Sequence, residues 1–393
     1  DGEHYGLDGE KLWITNGGFA DLVTVFARTP DHPREDGRPS ISCFLVERSM
    51  GFVPGKEEEK LGLRGSSTVP LLFEGVKVPA ANLVGEPGDG FRMALEVLNG
   101  GRTGLAGNCV GWSRFLLEQA VAYTTEREQF GQPIARFELI QEKLGCMAQD
   151  IHALDCMTFL TTGIMDRGDG DVALESALCK VFGTETLWST VNHAVQCAGG
   201  NGFTTDYPFE RMLRDARVNM IFEGTNEVLR VMIAGGGLRE VGQRLSGSVD
   251  SQGEYGRRIS GAETIEPLDV PAPLQPEAVA LSMGVSELAR SAAKAWQAHG
   301  KELRDRQLVS AALSDQAMAL YGQIAVISRA ASVLDSEGEE AAADELLLAR
   351  GAARRLARRG RAASARLRDN DDPLVLGAAE LVTRLGGMPG ERL

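Results

Sequence analysis

The sequence predicts an α+β protein that is mainly helical, with an antiparallel β-domain, a four-helix-type bundle and a second helical domain in that order. Three observations indicate this order. Short apolar runs separated by Gly, Pro and Asp come first, apolar residues at helical spacing follow, and a Gly-, Ser- and Pro-rich stretch precedes further helical patterns. At 393 residues the chain is long enough for more than one domain.

The β-domain is predicted over residues 1–85. Its apolar runs have the length and composition of strands and cover residues 12–15, 22–27, 40–46 and 69–78. The first run begins close to residue 1. We therefore expect residues upstream of Asp1, or a second polypeptide, to complete this domain.

The helical bundle is predicted over residues 86–235. One apolar stripe has spacings of three and four, which is typical of a helix face that packs on a core. Its members are Leu105, Cys109, Trp112, Leu116, Ala120 and Tyr123. Further helices are predicted over 137–165 and 172–197, and the glycines of 199–202 suit a helix end and a tight turn.

A linker and a helical extension complete the chain. Residues 236–276 are rich in Gly, Ser, Pro and charge, which indicates a linker or a long surface excursion. Residues 277–393 return to long helical patterns, and Pro373 breaks the last long helix before a short one.

Composition narrows the class of protein. The net charge of −14 argues against general nucleic-acid binding, which needs a basic surface. The six cysteines are scattered, without a C-x-x-C pair or clustered histidines, so we expect reduced thiols and no zinc site. Because the first residues lack the features of a signal peptide, we expect a cytoplasmic protein.

Four segments resemble motifs of the acyl-CoA dehydrogenase family, in the right order and at roughly the right spacing. They are LWITNG at 12–17, REQFG at 127–131, QCAGGNGF at 196–203 and FEGTN at 222–226. The tail from 277 to 385 is similar, through diffuse pattern, to the extra helical domain of the very-long-chain branch. That family's N-terminal helical domain would precede Asp1, so the resemblance implies that this chain lacks it and is inactive alone.

The resemblance implies FAD-dependent α,β-dehydrogenation of a long-chain fatty acyl-CoA to the trans-2-enoyl-CoA, in fatty-acid β-oxidation. Electrons would pass to an electron-transferring flavoprotein. Glu223 matches the family's catalytic base, and a surface glutamate in a turn is the alternative. Some branches place the base just before the arginine of a Gly-Arg pair, which here is Gly101, so that base is absent.

The resemblance also implies the residues that contact FAD and the substrate. The predicted FAD contacts are Trp13, Ile14, Thr15, Arg127, Phe130, Gln196, Gly199, Gly200, Thr225, Asn226 and Glu227. The predicted substrate contacts are Asn99, Arg102, Phe222 and Gly224. An ordinary core position is the alternative for Trp13, and a buried ion pair is the alternative for Arg102. Glu138 stands where many members carry a glutamine that contacts FAD, so that contact is in question.

Arg127 and Gln196 match residues that reach the FAD of a neighbouring subunit, which implies a homodimer or a larger homo-oligomer. Arginine suits this role because its planar group binds phosphate in a bidentate manner.

A dense basic stretch near the C-terminus suggests a peripheral contact with the inner membrane face, because basic amphipathic helices bind anionic membranes. It consists of Arg350, Arg354, Arg355, Arg358, Arg359, Arg361, Arg366 and Arg368. The alternative is a solvated helix face paired with acidic residues at 337, 339, 340, 344 and 345.

Two rival functions remain at this point. The first is an acyl-CoA oxidase, which has the same fold but uses oxygen as the electron acceptor. The second is a non-catalytic partner or fragment that binds CoA or FAD only together with a second chain.

Overall fold

A computed structural model describes residues 2–33, 37, 39–246 and 265–389 of the chain. The described part contains β-strands up to residue 84, helices from residue 90, and one short hairpin between the first two long helices. The predicted α+β, mainly α, class is confirmed. All six cysteines are free thiols.

Two three-stranded antiparallel sheets form the β-part. In chain order the strands are β1 His4–Thr15, β2 Leu22–Pro33, β3 Pro39–Glu47, β4 Val53–Pro54, β5 Thr68–Pro79 and β6 Leu83–Val84. The sheets have the orders β1-β5-β4 and β2-β3-β6. Val69, Leu71 and Phe73 alternate along β5 and turn the same face toward the core between the sheets.

The first strand is longer than the sequence predicted. It begins at His4 and pairs with β5 from there, with Leu7 opposite Val76. The start was missed because residues 4–11 are mostly polar, and only Leu7 among them is buried. Backbone pairing therefore extends the strand beyond its apolar run.

The helical bundle follows. Its long helices are α1 Gly90–Glu126, α2 Glu138–Arg167 and α3 Ala173–Ala198, and its shorter ones are α4 Gly200–Phe203, α5 Phe209–Ala216 and α6 Asn226–Ser246. A hairpin of β7 Glu128–Gln129 and β8 Gln132–Pro133 joins α1 to α2. The predicted α1 stripe is confirmed, since Cys109, Leu116 and Ala120 are buried and the other members pack against the same core.

The C-terminal helices are α7 Gln275–His299, α8 Gln307–Glu337, α9 Ala343–Arg366 and α10 Asp372–Leu385. They share a core with the bundle, because Val326 of α8 and Leu356 of α9 belong to the same buried cluster as Leu154 of α2. Among the described helices, α8 alone has the length and apolar composition of a membrane span, and 50% of that segment is buried within the protein.

The predicted linker begins too early. Residues 236–246 continue α6, because apolar positions such as Leu238 still pack against α7 and α8. Residues 247–264 of the predicted linker lie outside the described residues. Residues 265–271 have no regular structure and lead into α7.

The β-part docks on the helices at two places. Gly88 donates its N–H to the Ser42 hydroxyl at 2.9 Å, beside the start of α1. On the far side, Leu63 donates its N–H to Asp215 at the end of α5, at 2.6 Å. Gly62 is required there, because a Cβ would lie 2.4 Å from the Arg214 carbonyl oxygen. The second contact fixes the segment that leads to residue 223.

Candidate active site

Glu223 occupies a turn between α5 and α6 that has an uncommon backbone conformation. Its φ is 58° and that of Gly224 is 92°, so two successive residues lie in the left-handed region. This conformation is costly for a residue with a Cβ and marks positions held by their surroundings. A Cβ on Gly224 would also approach Leu229 to 3.3 Å. The turn therefore needs glycine at 224 and external support at 223.

Arg102 of α1 supplies part of that support. Only 5% of its surface is exposed, and its Nε donates to the backbone carbonyl of Glu223 at 3.3 Å. Burial lowers the pKa of Arg102, while the charge of Glu223 opposes that shift. Among the described residues Arg102 forms no ion pair, so the alternative of a buried ion pair is not seen, and its hydrogen bond goes to the backbone of Glu223. The prediction that Arg102 contacts substrate stays a prediction.

Gly101 faces the carboxylate directly. A Cβ built on Gly101 would lie 3.0 Å from Glu223 Oε2 and 3.4 Å from Cδ. Positions 101 and 223, the two candidate positions for the base, therefore lie next to each other in space. Only Glu223 supplies a carboxylate there.

Sequence reasoning missed Lys180, which lies in the middle of α3. Its side chain is fully buried, and its Nζ donates to the carbonyl of Gly224 and to Asn226 Oδ1, both at 2.8 Å. A signal was present in the sequence, because a lysine interrupts the apolar run Leu178, Cys179, Val181 and Phe182. A buried lysine at such a position calls for a specific acceptor.

Asn226 requires a correction to the predicted site. Its side chain is buried and bonded to Lys180, to Thr184 at 3.1 Å and to Glu185 at 3.2 Å. The amide thus points into the bundle, and only the backbone of Asn226 remains available for a cofactor. Ile14 is similar, since it packs against the core of the β-part.

Trp13 lies at an irregularity in β1. The pairing with β5 shifts between Lys11 and Ile14, and the φ of Trp13 is 55°. As a result 72% of the tryptophan surface is exposed, so the alternative of an ordinary core tryptophan is wrong. Thr15 is also exposed and pairs with Thr68, next to the loop that docks on Asp215.

Phe130 stands at the tip of the hairpin between α1 and α2. Its φ is 54° and 92% of its surface is exposed, although its ring contacts Phe137 edge-on at 6.1 Å. Arg127 at the base of the hairpin is exposed as well. An exposed aromatic ring and an exposed arginine on the same hairpin fit a planar, anionic ligand such as a dinucleotide.

Gln196, Gly199 and Gly200 are exposed at the end of α3. Gly199 has a φ of 58°, which permits the sharp passage from α3 into α4. In the same turn, a Cβ on Gly202 would lie 2.5 Å from the Val195 carbonyl oxygen. The turn therefore presents backbone groups without side chains above them, as a phosphate-binding turn requires.

The remaining predicted residues lie near the Glu223 turn. Thr225 accepts the Val228 N–H at 3.4 Å at the start of α6, and Glu227 is exposed in that helix's first turn. Phe222 is exposed beside the turn. Asn99 lies one turn before Thr103 on α1 and approaches Ser176 of α3 at 3.5 Å.

Glu138, the position in question for FAD, is exposed in the first turn of α2. A carboxylate there complements the helix dipole.

The donor set fits FAD at three separate places, namely the aromatic surface at Trp13, the hairpin at Phe130 and the glycine turn after α3. The exposure of Arg127 and Gln196 leaves them free to serve a second copy of the chain.

Many arginines of the basic stretch are engaged by acidic residues within the fold. Arg355 and Arg359 bind Asp150 of α2 at 2.9 and 2.6 Å, and Arg354 binds Glu277 of α7 at 2.9 Å. The alternative of ion pairing is thus right in kind, but the expected partners at 337–345 are wrong. The actual partners face α9 from the helices packed against it.

Comparison with known proteins shows the family to which this chain belongs. The family models for the acyl-CoA dehydrogenase middle domain, the acyl-CoA dehydrogenase C-terminal domain and the ACAD9/ACADV C-terminal domain match residues 1–76, 88–238 and 272–372. A Bacillus anthracis acyl-CoA dehydrogenase structure, complexed with FAD, is 32% identical with a TM-score of 0.83, and the match covers 97% of this chain and 67% of that one. The chain belongs to the acyl-CoA dehydrogenase family, which uses FAD.

Two further matches bear on the branch. The very long-chain specific acyl-CoA dehydrogenase of Bos taurus mitochondria is 37% identical over an alignment of 366 residues, and the match covers 88% of this chain and 56% of that protein. A chain from a structure described as the electron transferring flavoprotein of Acidaminococcus fermentans is 39% identical with a TM-score of 0.58, covering 61% of this chain and 62% of that one. The chain thus spans little more than half the length of its very-long-chain relatives.

Proposed function

We propose that this chain carries the flavin and base sites of an enzyme that dehydrogenates a fatty acyl-CoA thioester to the trans-2-enoyl-CoA. The observation that carries the proposal is the turn at Glu223. Its carboxylate is half-exposed, faces the helical Gly101 and sits on a backbone held by Arg102. A carboxylate fixed in this manner at an open face suits proton abstraction from a bound ligand.

Different residues of the chain have different roles in the proposed reaction. Glu223 removes the α-proton of the thioester, and the missing side chain at Gly101 leaves room for the substrate to approach the carboxylate. Trp13 would lie against the flavin, and Arg127 with the turn at Gly199 would hold its diphosphate. Bound FAD would supply the acceptor for the β-hydrogen as hydride.

The substrate and acceptor follow from the relatives. The very-long-chain relatives and the matching C-terminal helices support a long-chain acyl-CoA in fatty-acid β-oxidation. The neighbour described as an electron transferring flavoprotein supports such a protein as the electron acceptor.

Glu223→Gln tests the proposal. The variant keeps the shape of the side chain and removes the base, so flavin reduction by a saturated long-chain acyl-CoA should slow by at least about 10². FAD binding should be unchanged, as judged by flavin absorbance of the purified protein. Near-normal flavin reduction by the variant would exclude Glu223 as the base.

The same preparation separates the rival functions. Hydrogen peroxide formed in air in proportion to substrate would identify an oxidase. Turnover only when an electron-transferring flavoprotein is added would identify a dehydrogenase. Absence of flavin reduction in the wild-type chain, with FAD bound, would favour a non-catalytic partner or a fragment that needs a second chain.

We further propose a cytoplasmic homo-oligomer, a homodimer or larger, that touches the inner membrane face. Exposed Arg127 and Gln196 support cofactor sharing between subunits. Arg358, Arg361 and Arg366, which form no ion pair within the described residues, would supply the membrane contact. Sedimentation with anionic liposomes at low salt should be weakened by neutralising these three arginines, whereas unchanged binding would remove membrane contact from the proposal.

A further inference from the structure

Lys180 is a fully buried cation whose hydrogen bonds go to neutral acceptors. Its Nζ contacts the Gly224 carbonyl and the Asn226 amide, and within the described part of the chain it forms no ion pair. Enclosing an ammonium without a carboxylate beside it is unfavourable, and burial lowers the pKa of Lys180 to about 8. A methionine of similar shape would avoid this cost, so the charge needs another explanation.

The charged and titratable groups that face Lys180 come from each element around it. Arg102 and Cys109 lie on α1, Glu185 lies on α3, and Glu223 lies in the turn. Burial raises the pKa of Cys109 to about 12, so its thiol stays neutral. Arg102 repels the ammonium, while Glu185 and Glu223 attract it. Of the two carboxylates, Glu223 belongs to the backbone turn that Lys180 holds.

Two consecutive carbonyls of this turn are each held by a cation from a different helix. Arg102 of α1 holds the carbonyl of Glu223 at 3.3 Å, and Lys180 of α3 holds that of Gly224 at 2.8 Å. Glycine reaches both positive and negative φ at little cost, so the peptide after Gly224 has no intrinsic reason to keep this orientation. If that peptide rotated, the backbone at Glu223 would turn and the carboxylate would move away from Gly101.

We propose that Lys180 is a positioning residue for Glu223. Its ammonium fixes the Gly224 carbonyl and thereby the left-handed turn that carries the Glu223 carboxylate. This inference rests on the proposed function, in which that carboxylate is the base.

Three variants of Lys180 test the contribution of its hydrogen-bond donor and of its charge. Lys180→Met removes both charge and donor, Lys180→Gln keeps a donor without charge, and Lys180→Arg keeps the charge. Thr190→Val is the matched control, because Thr190 is equally buried on α3 but lies almost three turns further along the helix. Each FAD-loaded variant is mixed with acyl-CoA, and the rate of flavin reduction is followed against substrate concentration.

Lys180→Met should reduce the flavin at least about tenfold more slowly with little change in KM, since binding groups are intact and only the base is misplaced. Lys180→Arg, which keeps a charged donor, and Lys180→Gln, which keeps a neutral donor, should each restore part of the rate. The Thr190 control should match wild type.

A wild-type rate in Lys180→Met would overturn the inference. Bound flavin absorbance and thermal unfolding check that each variant is folded. If Lys180→Met does not fold, Lys180→Gln takes its place: an intermediate loss of rate with little change in KM is expected there, and a wild-type rate overturns the inference. Glu223→Gln is measured in parallel. Full activity in that variant would overturn the proposed function and this inference together, whereas its inactivity beside an unaltered Lys180→Met would overturn this inference alone.

Discussion

Gly101→Ala should make the protein more stable and the enzyme slower. Gly101 lies in the interior of α1 and is exposed. Replacing a glycine by alanine at such a position stabilises a helix by about 0.8–1 kcal/mol. The new methyl group, however, would stand 3.0 Å from Glu223 Oε2. One substitution thus has opposite effects on the fold and on the site.

The size of the second effect follows from the contact distance. Ordinary contact between non-bonded atoms begins at about 3.5 Å, so the carboxylate must retreat by about 0.5 Å. The end of a glutamate side chain can do so without disturbing the fold. Because a 1 Å misplacement can cost about 10² in rate, a retreat of this size should slow proton abstraction by roughly three- to tenfold.

The assay pairs urea unfolding with the rate of flavin reduction. Gly111→Ala is the control, because Gly111 is exposed on the same helix and a Cβ there has nothing within 4 Å. The control should gain the same stability without losing rate. If Gly101→Ala is as fast as wild type, or if both variants slow equally, the placement of Glu223 against Gly101 is incorrect.

Three other predictions use different readouts. The folded state of Lys180 loses its proton near pH 8, but the unfolded chain keeps it to about 10.5. Wild-type stability relative to Lys180→Met should therefore rise by up to about 3 kcal/mol across that window, and a flat difference would contradict the burial of the ammonium. Asp150→Asn should cost about 3 kcal/mol in urea unfolding by stranding Arg355, whereas loss of the exposed ion pair of Arg92 should leave the urea midpoint unchanged. Phe130→Ala should weaken FAD binding by about tenfold in a fluorescence titration, with unfolding nearly unchanged, and equal affinity would remove Phe130 from the cofactor site.

The sequence predicted those parts of the fold that local periodicity determines. The stripe of α1 was readable because Cys109, Leu116 and Ala120 recur at the helical period and are buried together. The polar start of β1 was not readable, because its strand conformation comes from backbone pairing with β5. The pattern of apolar and polar side chains indicates which face of a helix or strand is buried. It does not show where a strand begins when only backbone hydrogen bonds extend it.

Partners that are distant in sequence set a second limit. In the ion-pairing alternative the arginines of the basic stretch would pair with acidic residues at 337–345, before and at the start of α9, but Arg355, Arg354 and Arg368 bind Asp150, Glu277 and Glu287. Spacing along one helix shows that a face is charged, but the identity of its partner depends on which helix packs there. The same limit holds at Asn226, since the motif showed its residue type and not the direction of its side chain.

The polar contacts behind the Glu223 turn give the C-terminal helices a part in the site. The Asn226 amide donates to Glu185 at 3.2 Å, and Glu185 binds Arg230 of α6 at 2.7 Å. Arg230 in turn binds Asp315 of α8 at 2.8 Å. Because Asn226 also holds Lys180, this chain of contacts runs from α8 to the Gly224 carbonyl without a gap. The C-terminal helices therefore do more than cover apolar surface, since α8 supports the turn that carries Glu223 through these polar contacts.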